Sequence, residues 1–90
     1  MNELEVDIVA VLSMDMENFS NLREMVTTAE PDSGTPISPS ERELWDAIHS
    51  LVDSGRIAAL VWGRSAYKPA NPPIRWAQRA DYWFRKVTRR

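Results

Sequence analysis

The chain has 90 residues, no cysteine and a formal net charge of −2 at pH 7. A chain this short builds one hydrophobic core, so we expect a single domain over residues 1–90. The lack of cysteine excludes a disulfide scaffold and removes the commonest ligand of structural zinc sites. Because no leader-like segment opens the chain and no apolar run approaches the roughly 20 residues that span a bilayer, we expect a cytoplasmic protein without membrane contacts.

The small net charge conceals two oppositely charged halves. Residues 1–55 carry twelve acidic and two basic side chains, a charge of −10, whereas residues 56–90 carry nine basic and one acidic side chain, a charge of +8. Clustered charge of one sign creates a directed field that the net charge does not show. The pattern indicates either a charged partner or two halves that face each other, within the fold or across a dimer.

Apolar residues at helical spacing predict two helices near the start of the chain. The first covers residues 2–13, and its opening turns carry three acids, which the positive end of a helix dipole favours. The second covers about residues 16–27, with Asp15 as its N-cap. The residues expected to face the core are Leu4, Ile8, Val11 and Leu12 in the first helix and Phe19, Leu22, Met25 and Val26 in the second.

The clearest helix signals follow a loop that proline, glycine and small polar residues predict over residues 30–37. Ser38 fits the N-cap of a third helix, Pro39 its first position and Glu41 the end of an S-x-x-E capping box. Gly55 fits the left-handed residue that ends the helix. The expected apolar stripe of this helix is Leu44, Trp45, Ile48, Leu51 and Val52.

The chain then changes to strand-like patterns. An apolar run over residues 57–62 predicts a strand buried on both faces, and residues 63–65 predict a turn. The prolines that follow predict an irregular loop up to about residue 80. Residues 82–88 are rich in aromatic and β-branched side chains, which predicts a closing strand.

Two of these segments resemble the winged helix-turn-helix domains of bacterial transcription regulators. The sequence Leu51-Val-Asp-Ser-Gly55-Arg-Ile57 looks like the family's L-x-x-x-G-x-I junction between the recognition helix and the first wing strand, and residues 83–88 are similar to its closing strand. The resemblance implies an α+β winged helix, three helices followed by a β-hairpin wing. It also implies that the third helix enters the DNA major groove while the wing contacts the backbone or minor groove.

The charge of the third helix departs from that family pattern. Because phosphate neutralisation supplies most non-specific DNA affinity, an acidic insertion helix repels DNA, and direct base readout by this helix is disfavoured. Its solvent-facing charges are Glu41, Glu43, Asp46 and Asp53 against the single base Arg42.

Basic residues in the second half are interleaved with aromatic residues, a composition that suits phosphate contact and base stacking. In the alternative interpretation, the aromatic residues from Tyr82 to Phe84 pack in the core and the hairpin, and the arginines form a solvated face. The candidate nucleic-acid-binding residues are Arg42, Arg64, Lys68, Arg75, Arg79, Arg85 and Lys86, with Tyr67, Trp76 and Tyr82 as the interleaved aromatics.

Signals for catalysis and metal binding are weak. His49 is the only histidine, and its spacing from Asp46 and Asp53 indicates an ion pair on a helix surface. No phosphate-binding glycine motif and no nucleophile elbow occurs in the sequence. We therefore expect neither enzymatic activity nor a cofactor or metal.

Two functions remain open from the sequence. One is a DNA-binding protein, of the kind that regulates transcription, which contacts DNA through the basic wing and the C-terminal tail. The other is a winged-helix interaction module whose acidic helical half or aromatic wing binds a protein partner or a second copy of the chain. The salt dependence of binding separates the two, because only contacts to phosphates release condensed counterions.

Overall fold

A computed structural model describes residues 1–29, 34, 36–71 and 73–88, and this part of the chain is of the predicted α+β class. The described α-helices are α1 (Glu3–Leu12), α2 (Phe19–Met25) and α3 (Glu41–Asp53). The described strands are β1 (Glu17–Asn18), β2 (Thr28–Ala29), β3 (Pro36–Ile37), β4 (Ile57–Trp62), β5 (Tyr67–Pro69) and β6 (Tyr82–Lys86), and a 3₁₀ helix covers Trp76–Asp81.

Helix α1 begins and ends close to where the sequence predicts. Asn2 is its N-cap, because the Glu5 N–H donates to the Asn2 side-chain oxygen at 2.8 Å. All four residues expected to face the core do pack there, and Ile8 and Leu12 are buried. This prediction is confirmed.

Helix α2 is shorter than predicted, and Asp15 does not cap it. Its N-cap is Asn18, whose side-chain oxygen accepts the Asn21 N–H at 2.8 Å. The two residues before α2 pair with the middle of β6, so a long-range pairing overrides the helical spacing. The expectation that Met25 faces the core is wrong, because this last residue of α2 is 52% exposed.

The capping box of α3 lies two residues further along the chain than predicted. The Glu43 N–H donates to Ser40 Oγ at 3.1 Å, and the Ser40 N–H donates to Glu43 Oε1 at 3.4 Å. Ser38 does not cap the helix, because its hydroxyl is hydrogen-bonded to that of Thr27 at 2.7 Å. Pro39 consequently precedes the helix and does not form its first turn.

A Schellman motif ends α3, as the glycine predicts. Gly55 has a φ of 75°, its N–H donates to the Val52 carbonyl at 3.0 Å, and the Arg56 N–H donates to the Leu51 carbonyl at 3.0 Å. The motif directs the chain straight into β4, which has the predicted bounds.

The main sheet has the strand order β1-β6-β4-β5, and each neighbouring pair is antiparallel. The segment predicted as an irregular loop is more regular, because β5 pairs with the end of β4 and the 3₁₀ helix precedes β6. The predicted loop over residues 30–37 lies mostly outside the described residues. Of its described part, β3 pairs with β2 in a separate ribbon.

The three helices cover one face of the main sheet. Ile57 and Ala59 of β4 and Tyr82 and Phe84 of β6 belong to the same buried cluster as the apolar residues of α1, α2 and α3. Successive strand residues point to opposite faces, so the positions between these form a second face, here called the outer face. Its described residues are Asn18, Ala58, Leu60, Trp62, Tyr67, Pro69, Trp83 and Arg85.

Candidate nucleic-acid interface

Three aromatic rings form a contiguous surface on the outer face, here called the aromatic platform: Trp62, Tyr67 and Trp83. The ring centroids of Trp62 and Tyr67 are 4.7 Å apart and those of Tyr67 and Trp83 are 5.5 Å apart, both in edge-to-face geometry. Trp62 is 59% exposed and Tyr67 37% exposed, whereas Trp83 is half-buried. Solvent therefore reaches a row of touching rings.

The strand register brings these rings together. Trp62 of β4 is paired with Tyr67 of β5, and Leu60 of β4 is paired with Trp83 of β6. Leu60 is only 6% exposed, although it lies outside the buried cluster under the helices. The platform thus lies beside a buried leucine that does not belong to the main core. The prediction that β4 is buried on both faces is right at Leu60 and wrong at Trp62, which ends the strand.

A tight turn between β4 and β5 fixes the Trp62–Tyr67 pair. The Gly63 N–H donates to the Ala66 carbonyl at 2.8 Å. A Cβ atom on Gly63 would lie 2.9 Å from that carbonyl oxygen and 3.1 Å from Lys68 Cε, so only glycine fits this position without displacement. The turn predicted over residues 63–65 is therefore present.

The outer face carries positive charge. Among the outward-facing strand positions that the structure describes, Arg85 is basic and none is acidic. Arg64 is exposed in the β4–β5 turn, two residues after Trp62. Lys68 is also exposed, but it is opposite Val61 and therefore lies on the other face of the hairpin. The ion pairs found within the described part of the chain involve other cations.

Arg42 and Arg79, two of the predicted site residues, lie around Trp76. The Arg79 guanidinium carbon is 4.0 Å from the Trp76 ring centroid, and Arg79 also donates to the Trp76 carbonyl at 3.1 Å. The same side chain lies 3.8 Å from Glu41. Arg42 lies 5.2 Å from the Trp76 centroid and 3.4 Å from Asp46. These contacts fasten the 3₁₀ helix to the start of α3.

Two of the interleaved aromatics have structural positions. Tyr82 is 4% exposed and its ring stacks on Trp45 with centroids 6.1 Å apart. Its hydroxyl accepts the Arg75 N–H at 3.0 Å and donates to the Gln78 side-chain oxygen at 3.3 Å. Trp76 meets Trp45 edge to face at 6.0 Å. Tyr82 is therefore buried and cannot stack on a nucleobase, which agrees with the interpretation that it packs in the core.

The remaining predicted cations are divided between the two faces. Arg75 is exposed just before the 3₁₀ helix. Arg85 is opposite Ala58 on the outer face, whereas Lys86 is opposite the buried Ile57 and lines a groove with Val9 of α1. The sequence did not single out Trp62 and Trp83, although the alternating pattern of the two strands could have placed them on one face.

Helix α3 presents mostly acids to solvent. Glu41, Glu43, Asp46 and Asp53 are exposed, and the single exposed base of this helix, Arg42, is paired with Asp46. His49 Nδ1 lies 3.0 Å from Asp53 Oδ2, so the two side chains that the spacing predicts to pair on the helix surface are in contact. Within the described residues, no three acidic or histidine side chains are grouped so that they could hold a metal ion.

A groove of about 620 Å³ lies between α2, the start of α3 and the 3₁₀ helix. Its two arginines are occupied by structural contacts: Arg23 donates to the Pro39 carbonyl at 2.9 Å, and Arg79 contacts Trp76 and Glu41 as described above. These contacts hold neighbouring elements together and leave the outer face as the candidate interface.

Comparisons with protein-family models, with curated proteins and with solved structures found no match. None of the helices within the described ranges is both long and apolar enough to cross a bilayer.

Proposed function

We propose that the protein is a winged-helix DNA-binding protein in which the β4–β5 hairpin is the wing. The order α1, α2, α3, β4, hairpin and β6 supports this arrangement, and so does the Schellman junction between α3 and β4. The observation that carries the proposal is the pair of exposed cations on the hairpin, Arg64 in the turn and Lys68 on β5, which lie at the edge of the sheet, away from the acidic helix α3 in the chain.

The hairpin contacts the phosphate backbone, and α3 makes no base contacts. The exposed acids of α3 repel phosphates, and its one exposed base is paired with Asp46. Contacts of this kind fix the position of a protein on a duplex without reading its sequence. Binding is therefore sensitive to salt and only weakly sensitive to DNA sequence.

A fluorescence-anisotropy titration with a random-sequence DNA duplex at about 50 mM and 200 mM salt tests this proposal. The double variant Arg64→Ala/Lys68→Ala should lower the log–log salt slope by about 0.9 for each phosphate that the variant no longer neutralises. The matched control is Arg42→Ala/Lys86→Ala, which removes the same charge from other parts of the surface. Equal decreases in both variants, or no binding by the wild-type chain at low salt, would overturn the proposal.

A second candidate function is suggested by the acidic surface of α3. Glu43, Asp46 and Asp53 are exposed on one helix and would suit a basic protein partner. In this case Asp46→Asn/Asp53→Asn should weaken partner binding and leave DNA affinity unchanged or slightly higher, because the substitutions remove repulsion.

A further inference from the structure

The aromatic platform is unusual as a solvent-exposed surface. Single exposed apolar side chains are common on proteins, but contiguous apolar surface indicates a binding site. Here Trp62 is 59% exposed and touches Tyr67, which in turn touches Trp83. The rings span the strands β5, β4 and β6, a width of roughly 10 Å at ordinary strand spacing.

The charges around the platform favour a polyanion as its occupant. Arg85 is two residues from Trp83 on the same face, and Arg64 follows Trp62 by two residues. No outward-facing position of the described strands is acidic. Aromatic rings flanked by basic side chains suit a nucleic acid, because its nucleobases can stack on the rings while its phosphates contact the cations.

Exposed aromatic rings suit a single strand better than a duplex. A duplex encloses the faces of its bases in its own stack, so only unpaired bases can stack on protein rings. Arg64, one of the hairpin cations proposed to hold the duplex backbone, lies two residues after Trp62 in the chain. A strand that leaves the duplex at the hairpin therefore meets the platform next.

We infer that the aromatic platform binds unpaired bases of single-stranded DNA, with Trp62 as the main stacking ring and Arg85 as a phosphate contact. This inference rests on the proposed DNA-binding function and specifies that the outer face binds single-stranded DNA. Stacking on one aromatic side chain changes affinity by roughly tenfold, which is the size of effect expected at Trp62.

The test compares the affinities of a thymidine oligonucleotide and of a DNA duplex for the same variants at one salt concentration. Trp62→Ala should weaken single-strand binding by roughly tenfold and change duplex binding less than about twofold. Trp62→Phe retains a ring and should keep most of the single-strand affinity. Val6→Ala, which truncates an apolar residue of α1 that is 48% exposed, is the control for loss of exposed apolar surface.

The possible results distinguish a failure of the platform inference from a failure of the proposed DNA-binding function. Unchanged single-strand affinity in Trp62→Ala, with duplex binding still dependent on Arg64 and Lys68, would overturn the platform and leave the proposed function standing. No binding of either DNA by the wild-type chain would overturn both. An equal decrease for both DNAs, or a tighter complex with the matching RNA, would overturn the assignment to single-stranded DNA. Loss of self-association in sedimentation without any loss of DNA binding would assign the platform to a second copy of the chain.

Discussion

Tyr67 and Trp83 meet across β4, with ring centroids 5.5 Å apart, although they lie on the two strands that flank it. Leu60 lies on the strand between them, is paired with Trp83 and is 6% exposed outside the main core. Trp62 lies at the end of this row and keeps most of its exposed surface. The platform is therefore divided: Tyr67 and Trp83 contact each other across β4, and Trp62 is the most exposed of the three rings.

This division predicts different stability effects for two substitutions on the platform. Tyr67→Ala removes two aromatic pairs, so it should lower the free energy of unfolding by about 1–3 kcal/mol. Trp62→Ala removes one pair and should cost about 1 kcal/mol or less. Urea denaturation monitored by circular dichroism measures both. A loss of stability at Trp62 equal to or greater than that at Tyr67 would contradict the division.

The two serines before α3 provide a second test, because only Ser40 accepts the Glu43 N–H. Ser40→Ala should lower the free energy of unfolding by about 1 kcal/mol, the usual cost of losing an N-cap. Ser38→Ala removes an exposed hydrogen bond with the Thr27 hydroxyl and should cost about 0.5 kcal/mol. The same denaturation experiment serves, and a larger decrease at Ser38 would place the cap where the sequence first indicates it.

The capping box also shows where sequence patterns are ambiguous. Ser38 with Glu41 and Ser40 with Glu43 form two overlapping S-x-x-E patterns, and local chemistry alone cannot choose between them. The choice depends on Thr27, which holds the Ser38 hydroxyl from the other side of the predicted loop. By contrast, the sequence predicts α1 to within one residue at each end and predicts the glycine end of α3, because both depend on neighbouring residues.

Long-range pairing explains the other differences. β1 is a strand only because β6 lies beside it, and nothing within residues 15–18 indicates this. The aromatic platform also depends on long-range pairing. The sequence indicates Tyr67 only through its basic neighbours, whereas its contacts with Trp62 and Trp83 depend on the register of three strands. The basic character of the second half was visible in the composition, whereas its division between structural and exposed cations was not.

A substitution at Arg79 tests whether this cation has a structural role or contacts DNA. Its guanidinium lies over Trp76, donates to the Trp76 carbonyl and pairs with Glu41. Arg79→Lys keeps the charge but removes the planar stack and fork, so it should lower the thermal unfolding midpoint while leaving DNA affinity within about twofold. Arg64→Lys should leave both quantities nearly unchanged. A decrease in affinity in Arg79→Lys without a decrease in stability would place Arg79 in the interface.

Arg85 and Lys86 are adjacent in the chain and face opposite sides of the sheet, which makes them a matched pair for locating the interface. Arg85 is opposite Ala58 on the outer face, and Lys86 is opposite the buried Ile57 and lines the groove beside α1. Arg85→Ala should weaken single-strand binding and lower its salt slope by about 0.7, the value for one phosphate contact on a single strand. Lys86→Ala removes the same charge one residue away and should leave the slope unchanged. Because long-range attraction would respond equally to either substitution, equal slopes in the two variants would show that general charge attracts the DNA and that the outer face does not bind it directly.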